Sequence, residues 1–266
     1  MIPIIEQIRK DHPKMSAREM YFKINPSCMG RDKFESFCFD HGFRVINTKN
    51  YRKTTNSNGV VRFPNLIKDF ELTGVYQVLV SDITYYELNG RFYYITLIMD
   101  LYSREILGYS VSKSMHTEQT TLAALKMVVR KIGRDKLKGT IIHSDGGGQY
   151  YAIEFRKYTE DLKMLNSMGK EVYDNPHAER VNGTIKNNYV IPWNPRSYDE
   201  LELFTARAVT NYNTDKPHLA LGRLTPVQFR ERNSGVYEEN LPAIEVENYS
   251  QSNLPSSTAK HNYQFV

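Results

Sequence analysis

The sequence predicts an α/β chain: a mixed five-stranded sheet flanked by helices, preceded by a small helical module resembling a helix-turn-helix. Two observations carry this prediction. From residue 76 onward apolar residues gather in β-rich runs, with Asn89-Gly90, a strong hairpin signal, between the first two. Before residue 46 apolar residues instead recur at helical spacing. Composition is that of an ordinary globular chain, with 266 residues, 40% hydrophobic, 24% charged and a net charge of +5. No apolar run reaches the roughly 18 residues of a membrane span, and Glu6, Arg9, Lys10 and Asp11 interrupt any signal-peptide core, so a cytoplasmic protein with no membrane partner is expected. Cys28 and Cys38 are too few for a disulfide framework and lack zinc-finger spacing; they are expected to be buried thiols.

The N-terminal part, residues 1–46, reads as three short helices. Ile4, Ile5 and Ile8 mark the first, which must stop near Pro13. Ser16 and Glu19 form a capping box for the second, whose Ala17, Met20, Tyr21 and Ile24 share one face. Phe34, Phe37, Cys38 and His41 mark the third, and Gly42 supplies its C-terminal cap. In a helix-turn-helix the last helix enters the major groove with its N-terminal residues toward the bases, which nominates Arg31 and Lys33 as DNA contacts. An accessory bundle that touches no DNA is the alternative. Residues 47–74 are a basic linker in which Arg52 and Lys53 can follow a phosphate backbone. The first seventy residues hold thirteen Lys and Arg against seven Asp and Glu, so the whole positive excess lies there. Such a basic part ahead of a near-neutral body suits a phosphate grip beside a site for chemistry.

Residues 75–236 form the central domain. Val78 to Tyr86, Phe92 to Met99 and Ile106 to Val111 are the first three strands. A helix over Thr117 to Ile132, a buried strand over Thr140 to His143, a helix over Ile153 to Leu162, a strand near Lys163 to Leu165 and a helix from Pro176 follow. Three antiparallel strands, then helices alternating with strands, is the order of a ribonuclease H-like sheet, in which the fourth strand lies beside the first.

That adjacency brings Asp82, late in the first strand, to the same sheet end as Asp145, directly after the fourth. Unpaired carboxylates so close repel, and a site that keeps both ionised usually holds a divalent cation. Glu179 is the third acid. Asn175 can cap a helix with Pro176 in its first turn, which places Glu179 within two turns of the start. On this helix Ala178, Val181, Ile185 and Tyr189 form a buried stripe, and Glu179, Asn182, Gly183 and Lys186 a polar one. Asn182 and Lys186 are thereby candidate DNA contacts on the acid face. His143 is expected to be structural, Asn175 a cap, Asp174 a turn acid, Asp100 part of a hairpin connection, His177 solvent-facing, and Trp193 a packing residue. With 30 acids in the chain a triple can arise by chance, so local context must support it. The glycines of Asp145-Gly146-Gly147-Gly148-Gln149-Tyr150 let a phosphate backbone approach, and no Gly-Lys-Ser/Thr follows to make a nucleotide loop.

Ser81-Asp82-Ile83-Thr84-Tyr85, His143-Ser144-Asp145 with Gln149-Tyr150, and Tyr173-Asp174-Asn175 leading to Glu179 resemble the catalytic motifs of bacterial insertion-sequence transposases of the second-reading-frame type, whose core is similar to retroviral integrase. Ile98 to Gly108, with Asp100, Tyr102, Ser103 and Arg104, resembles the segment after the family's first aspartate. Asn211-Tyr212-Asn213, Pro217-His218, Leu221 and Thr225-Pro226 resemble the segment that closes the domain. The resemblance spans about residues 8–230. It implies a DDE triad of Asp82, Asp145 and Glu179 with Mg2+ as the working ion, and it places Lys186 on donor DNA. Two departures stand out: 33 residues separate Asp145 from Glu179, two fewer than is usual, and Gly146-Gly147-Gly148 replaces a more usual Gln-Gly-Ser.

The chemistry expected is two-metal phosphodiester transesterification, with Asp82 bridging two Mg2+ ions, Asp145 holding one and Glu179 the other, and Mn2+ able to substitute. Cleavage at an element end exposes a 3′-OH that attacks target DNA; the strand-transfer half follows from the resemblance. Expected partners are the element's terminal inverted repeats, target DNA, a second copy of the chain, and an upstream-frame protein of the same element. The alternatives are a ribonuclease H-fold nuclease or resolvase, and a catalytically inactive transposase-derived DNA-binding regulator. Residues 237–266, with four glutamates and one lysine, read as a polar, acidic, flexible tail.

Overall fold

The computed structural model describes residues 1–45, 63–169 and 175–233. The expected contacts of Arg52 and Lys53, the turn at Asp174, most of the basic linker and the tail lie outside these residues.

The first three helices are α1 (Ile2–Asp11), α2 (Ala17–Ile24) and α3 (Arg31–Asp40). At the start of α2 the capping box closes: Ser16 Oγ accepts from the Glu19 amide at 3.2 Å, and Glu19 Oε2 accepts from the Ser16 amide at 2.9 Å. Gly42, at φ +74°, ends α3 in a Schellman motif, with the Phe43 amide donating to the Cys38 carbonyl and the Gly42 amide to Phe39. Ile5, Ile8, Met15, Met20, Phe34 and Cys38 close a small core of their own. Cys38 is buried as expected, but Cys28, in the turn before α3, is exposed.

The sheet comprises β1 (Val78–Leu88), β2 (Arg91–Asp100), β3 (Ile106–Ser112), β4 (Ile141–Ser144) and β5 (Leu165–Met168). Their spatial order is β3-β2-β1-β4-β5; β1 to β3 are antiparallel, and β4 and β5 run parallel to β1 and to each other. This is the ribonuclease H-like arrangement predicted. Strand β5 begins later than expected because Lys163 turns through a left-handed φ of 56° before it. Helix α4 (Thr121–Ile132) also starts late, since the chain from His116 to Thr120 is taken up by a turn closed by Thr120 N–H to His116 C=O.

Helix α5 (Ile153–Asp161) lies with α4 on one face of the sheet, over Leu79, Ile98, Leu107 and Ile142. The other face, with Val78, Val80, Ile95, Leu97 and Met99, is covered by α6 (Pro176–Ile185) and α8 (Tyr198–Thr214). Between those two, α6 runs on through a π-helical turn, Lys186–Val190, into the short α7 (Ile191–Trp193). Pro192 has no N–H to offer the carbonyl four residues back, which accounts for the change of winding there. Helix α9 (Pro226–Arg232) completes the described chain. None of the described helices is long and apolar enough to cross a membrane.

The helical module is docked on the sheet domain through its polar residues. His12, 1% exposed, bonds Tyr189 Oη at 2.9 Å through Nδ1 and Asp215 at 2.6 Å through Nε2. Lys23 also pairs with Asp215, Lys216 with Glu19, and Arg207 with Asp11 at 2.6 Å. Trp193 Nε1 donates to the Lys10 carbonyl at 3.0 Å. Trp193 is thus a packing residue with one polar tie to the module.

Candidate active site

Backbone register places two of the three acids. The last parallel pair between β1 and β4 is Ser81 with Ser144, so Asp82, next on β1, and Asp145, the first residue after β4, lie at one sheet end. Strand β1 continues through Leu88 without a β4 neighbour. Helix α6 is held against this point by two side-chain amides. Asn175 Nδ2 donates to the Ser81 carbonyl and Asn182 Nδ2 to Asp82 Oδ2, each at 2.9 Å. Glu179 lies one turn before Asn182 on the same flank of α6 and is exposed.

The loop after β4 is pinned as well. Asp145 Oδ1 accepts from the Gly147 amide at 3.0 Å, and a Cβ on Gly147 would stand 3.1 Å from that oxygen. Tyr150 is buried, and its hydroxyl lies 2.8 Å from Ser81 Oγ, which itself donates to the Leu97 carbonyl. Tyr150 is therefore the donor to Ser81.

The acids sense one another. Burial, then the charge of Asp145, pushes the Asp82 carboxyl up to about 7, against the hydrogen bonds from Asn182 and Ile83; Glu179 adds to the rise. Burial raises Asp145, opposed by the Gly147 amide, and burial with the Asp145 charge raises Glu179. Three hard carboxylate oxygen donors whose mutual repulsion a cation would relieve are a chemically suitable set for Mg2+. Among the described residues, no group of three or more His, Cys, Asp or Glu side chains stands close enough to hold a metal ion as the side chains are placed.

Several expected roles change in detail. Asn175 makes no side-chain cap; its amide is spent on β1 instead. Asn182, expected on the DNA face, is 3% exposed and turned to Asp82. His177 is half-buried rather than solvent-facing, because its Nδ1 accepts from the Arg104 guanidinium at 2.8 Å; burial and the charges of Arg104 and Arg180 lower it to about 4. Asp100 ends β2 fully buried, accepting from the Tyr76 and Ser103 amides and the Ser103 hydroxyl. His143 is buried against Ser167 Oγ at 2.9 Å, consistent with a structural role.

Among the nominated cations, Lys186 is half-buried, with its Nζ 4.4 Å from the centroid of Tyr85. Arg31 and Lys33 are exposed at the start of α3, away from the acids in sequence and on a separate small core. Arg31 is paired with Asp32 at 2.7 Å and lies 3.9 Å from Glu35. Helix α3 carries two cations and three carboxylates, so a DNA contact there rests on Arg31 and Lys33 individually and not on the net charge of the helix. Sequence reasoning missed Tyr85, the tie from Asn175 to Ser81 and the pair Arg104–His177. The spacing of Asn175, Glu179, Asn182 and Lys186 on one helical flank was the available signal.

Residues 73–172 match a family model described as Integrase core domain, and residues 161–226 match a second model with the same description. A Shigella sonnei protein, the insertion element IS600 uncharacterized 31 kDa protein, is 32% identical over 213 residues, covering 78% of this chain and 77% of its own length. Transposase InsF for insertion sequence IS3A of Escherichia coli K12 is 28% identical over 184 residues, covering 66% of this chain and 62% of its own. In three dimensions, a chain of the simian T-cell lymphotropic virus intasome matches 90% of this chain and 74% of its own length with a TM-score of 0.51 at 14% identity, a likeness of fold. With the acids at the expected sheet end and a relative of this identity and coverage, the chain belongs to the bacterial insertion-sequence transposases with an integrase-type core.

Proposed function

We propose that this chain cuts DNA at the ends of an insertion element and joins the freed 3′-OH to target DNA by phosphodiester transesterification. Asp82, Asp145 and Glu179 are the catalytic acids in this reading. The observation that carries it is the register that brings Asp82 and Asp145 to one sheet end, with α6, and Glu179 on it, tied to Asp82 through Asn182. Clustered, partly buried carboxylates are unfavourable unless a cation or a proton neutralises them. They would hold Mg2+, which when bound supplies charge stabilisation at phosphorus and activates the attacking oxygen.

The chain's own residues then divide the remaining tasks. Asn182 keeps one oxygen of Asp82 fixed, and the backbone amide of Ile83 holds the other. Asn175 and Tyr150 hold Ser81, and hence the strand just before Asp82, from opposite sides. Gly146 to Gly148 leave room for a phosphate backbone beside Asp145. Lys186 offers a cation on the Glu179 flank for DNA. This chemistry requires no protein nucleophile: water attacks in the cleavage step and the 3′-OH in the joining step. Each step makes one P–O bond and breaks another.

The helical module, residues 1–46, and the linker, with Arg52 and Lys53, are assigned to DNA contact in this reading, with Arg31 and Lys33 the exposed cations of α3. Two element ends must be held together, so the active complex is at least a dimer on DNA, working in the bacterial cytoplasm. The experiment is a joining assay with a duplex carrying the inverted repeat that flanks the gene, in Mg2+ and in chelator. Metal-dependent cleavage followed by joined product is expected. Cleavage without joining would favour the nuclease reading, and binding with neither would favour an inactive regulator.

A further inference from the structure

Lys186 follows Glu179 by two turns on the polar flank of α6, and among the described residues it makes no ion pair with a carboxylate. Its Nζ instead lies over the ring of Tyr85, 4.4 Å from the centroid. Tyr85 sits three residues beyond Asp82, in the part of β1 that has outrun β4. Its ring also meets Phe92 edge-on, at 5.2 Å and 89°, which fixes the ring plane. On the helix side, the winding changes from α to π at Lys186 itself. Such turns are rare inside helices and occur often at functional sites.

We propose that Tyr85 is a positioning residue for DNA, holding the Lys186 ammonium on the Glu179 flank of α6 so that its N–H donors face a phosphate rather than a carboxylate. This rests on the reading of the chain as a DNA-joining enzyme. An aromatic face suits the task because it attracts a cation without a formal charge. A carboxylate in its place would neutralise Lys186 and repel the incoming backbone.

The test measures binding of the wild type and of Tyr85→Phe, Tyr85→Leu, Lys186→Ala and the Tyr85→Leu/Lys186→Ala double variant to a duplex carrying the flanking inverted repeat, in chelator, across a salt series. Thermal unfolding checks that each variant folds. Tyr85→Leu is expected to bind about 3- to 10-fold more weakly, on the scale of an exposed-to-desolvated cation–π contact. Its salt slope should fall by about 0.9, the loss of one phosphate contact. Tyr85→Phe keeps the ring face and should match wild type, and the double variant should match Lys186→Ala alone. Wild-type binding with an unchanged Tyr85→Leu slope, or Tyr85→Leu and Lys186→Ala effects that multiply, overturns the role of Tyr85 alone. Wild-type protein that does not bind this DNA overturns the functional reading and this inference with it.

Discussion

Asn182 and Asp82 are joined by one 2.9 Å hydrogen bond across the junction of α6 and β1, amide to carboxylate, 100 residues apart in sequence. The other amide atom of Asn182, Oδ1, is buried without a hydrogen-bond partner among the described residues. Asn182→Ala removes that unsatisfied acceptor but leaves Asp82 Oδ2 without its donor, and should destabilise the chain by roughly 1–3 kcal/mol. It should also act on Asp82 itself. Without that donor the carboxyl titrates above about 7, and joining should fall by about 10-fold or more. Carboxyl NMR titration of Asp82 in both proteins checks the first outcome, and the joining rate the second.

The same carboxyl predicts a pH dependence. Its folded value of about 7 lies above the ordinary aspartate value of 3.8, so between those two values the folded protein binds more protons than the unfolded one. Stability from this group is present in full below about pH 4 and is lost as pH rises toward 7. In chelator, the unfolding midpoint of the wild type should fall across that window relative to Asp82→Asn, which cannot titrate there. A divalent ion competes with the same proton, so Mg2+ should stabilise the wild type more at pH 8 than at pH 5. Equal Mg2+ effects at both values would contradict the assignment.

His12 links the helical module to the sheet domain through Tyr189 and Asp215. Burial lowers the imidazole, while Asp215 opposes that shift. Asp215→Ala takes away the carboxylate acceptor of His12 and of Lys23, leaving Lys23 only the backbone carbonyl of residue 215. It should destabilise the chain by roughly 1–3 kcal/mol, the usual penalty for an orphaned buried donor, and loosen the module first. Hydrogen exchange in residues 2–24 should accelerate more than in β1 to β3; uniform acceleration would contradict a local docking role.

At the opposite face, Gly108 of β3 lies against α4. A Cβ there would stand 2.3 Å from the Ala124 carbonyl oxygen and 2.7 Å from Val128 Cγ2. Backbone cannot yield as a flexible side chain does, so Gly108→Ala should cost about 1–3 kcal/mol. Denaturant unfolding measures it, with Gly148→Ala, where nothing lies within 4 Å, as the control.

Much of this geometry was legible because its signals are local. Asn89-Gly90 fixed the hairpin, and the stripe of Ala178, Val181, Ile185 and Tyr189 is buried as its spacing requires. Adjacency of Asp82 and Asp145 followed from strand order alone. What escaped depends on partners far away in sequence. Asn175 has the residue type and position of a cap, but its amide is taken by the Ser81 carbonyl of β1. His177 looked solvent-facing until Arg104, 73 residues earlier, met it. Nothing near His12 announces Tyr189 or Asp215, and Lys186 gave no hint of an aromatic floor at Tyr85.

The central claim is that Asp82, Asp145 and Glu179 act as one catalytic set on DNA. Its most direct test compares Asp82→Asn, Asp145→Asn and Glu179→Gln with wild type in a metal-dependent joining assay on the flanking inverted repeat, alongside binding of the same duplex in chelator. The expected result is loss of cleavage and joining in all three variants with DNA binding retained. Any one of them joining strands at the wild-type rate would contradict the triad.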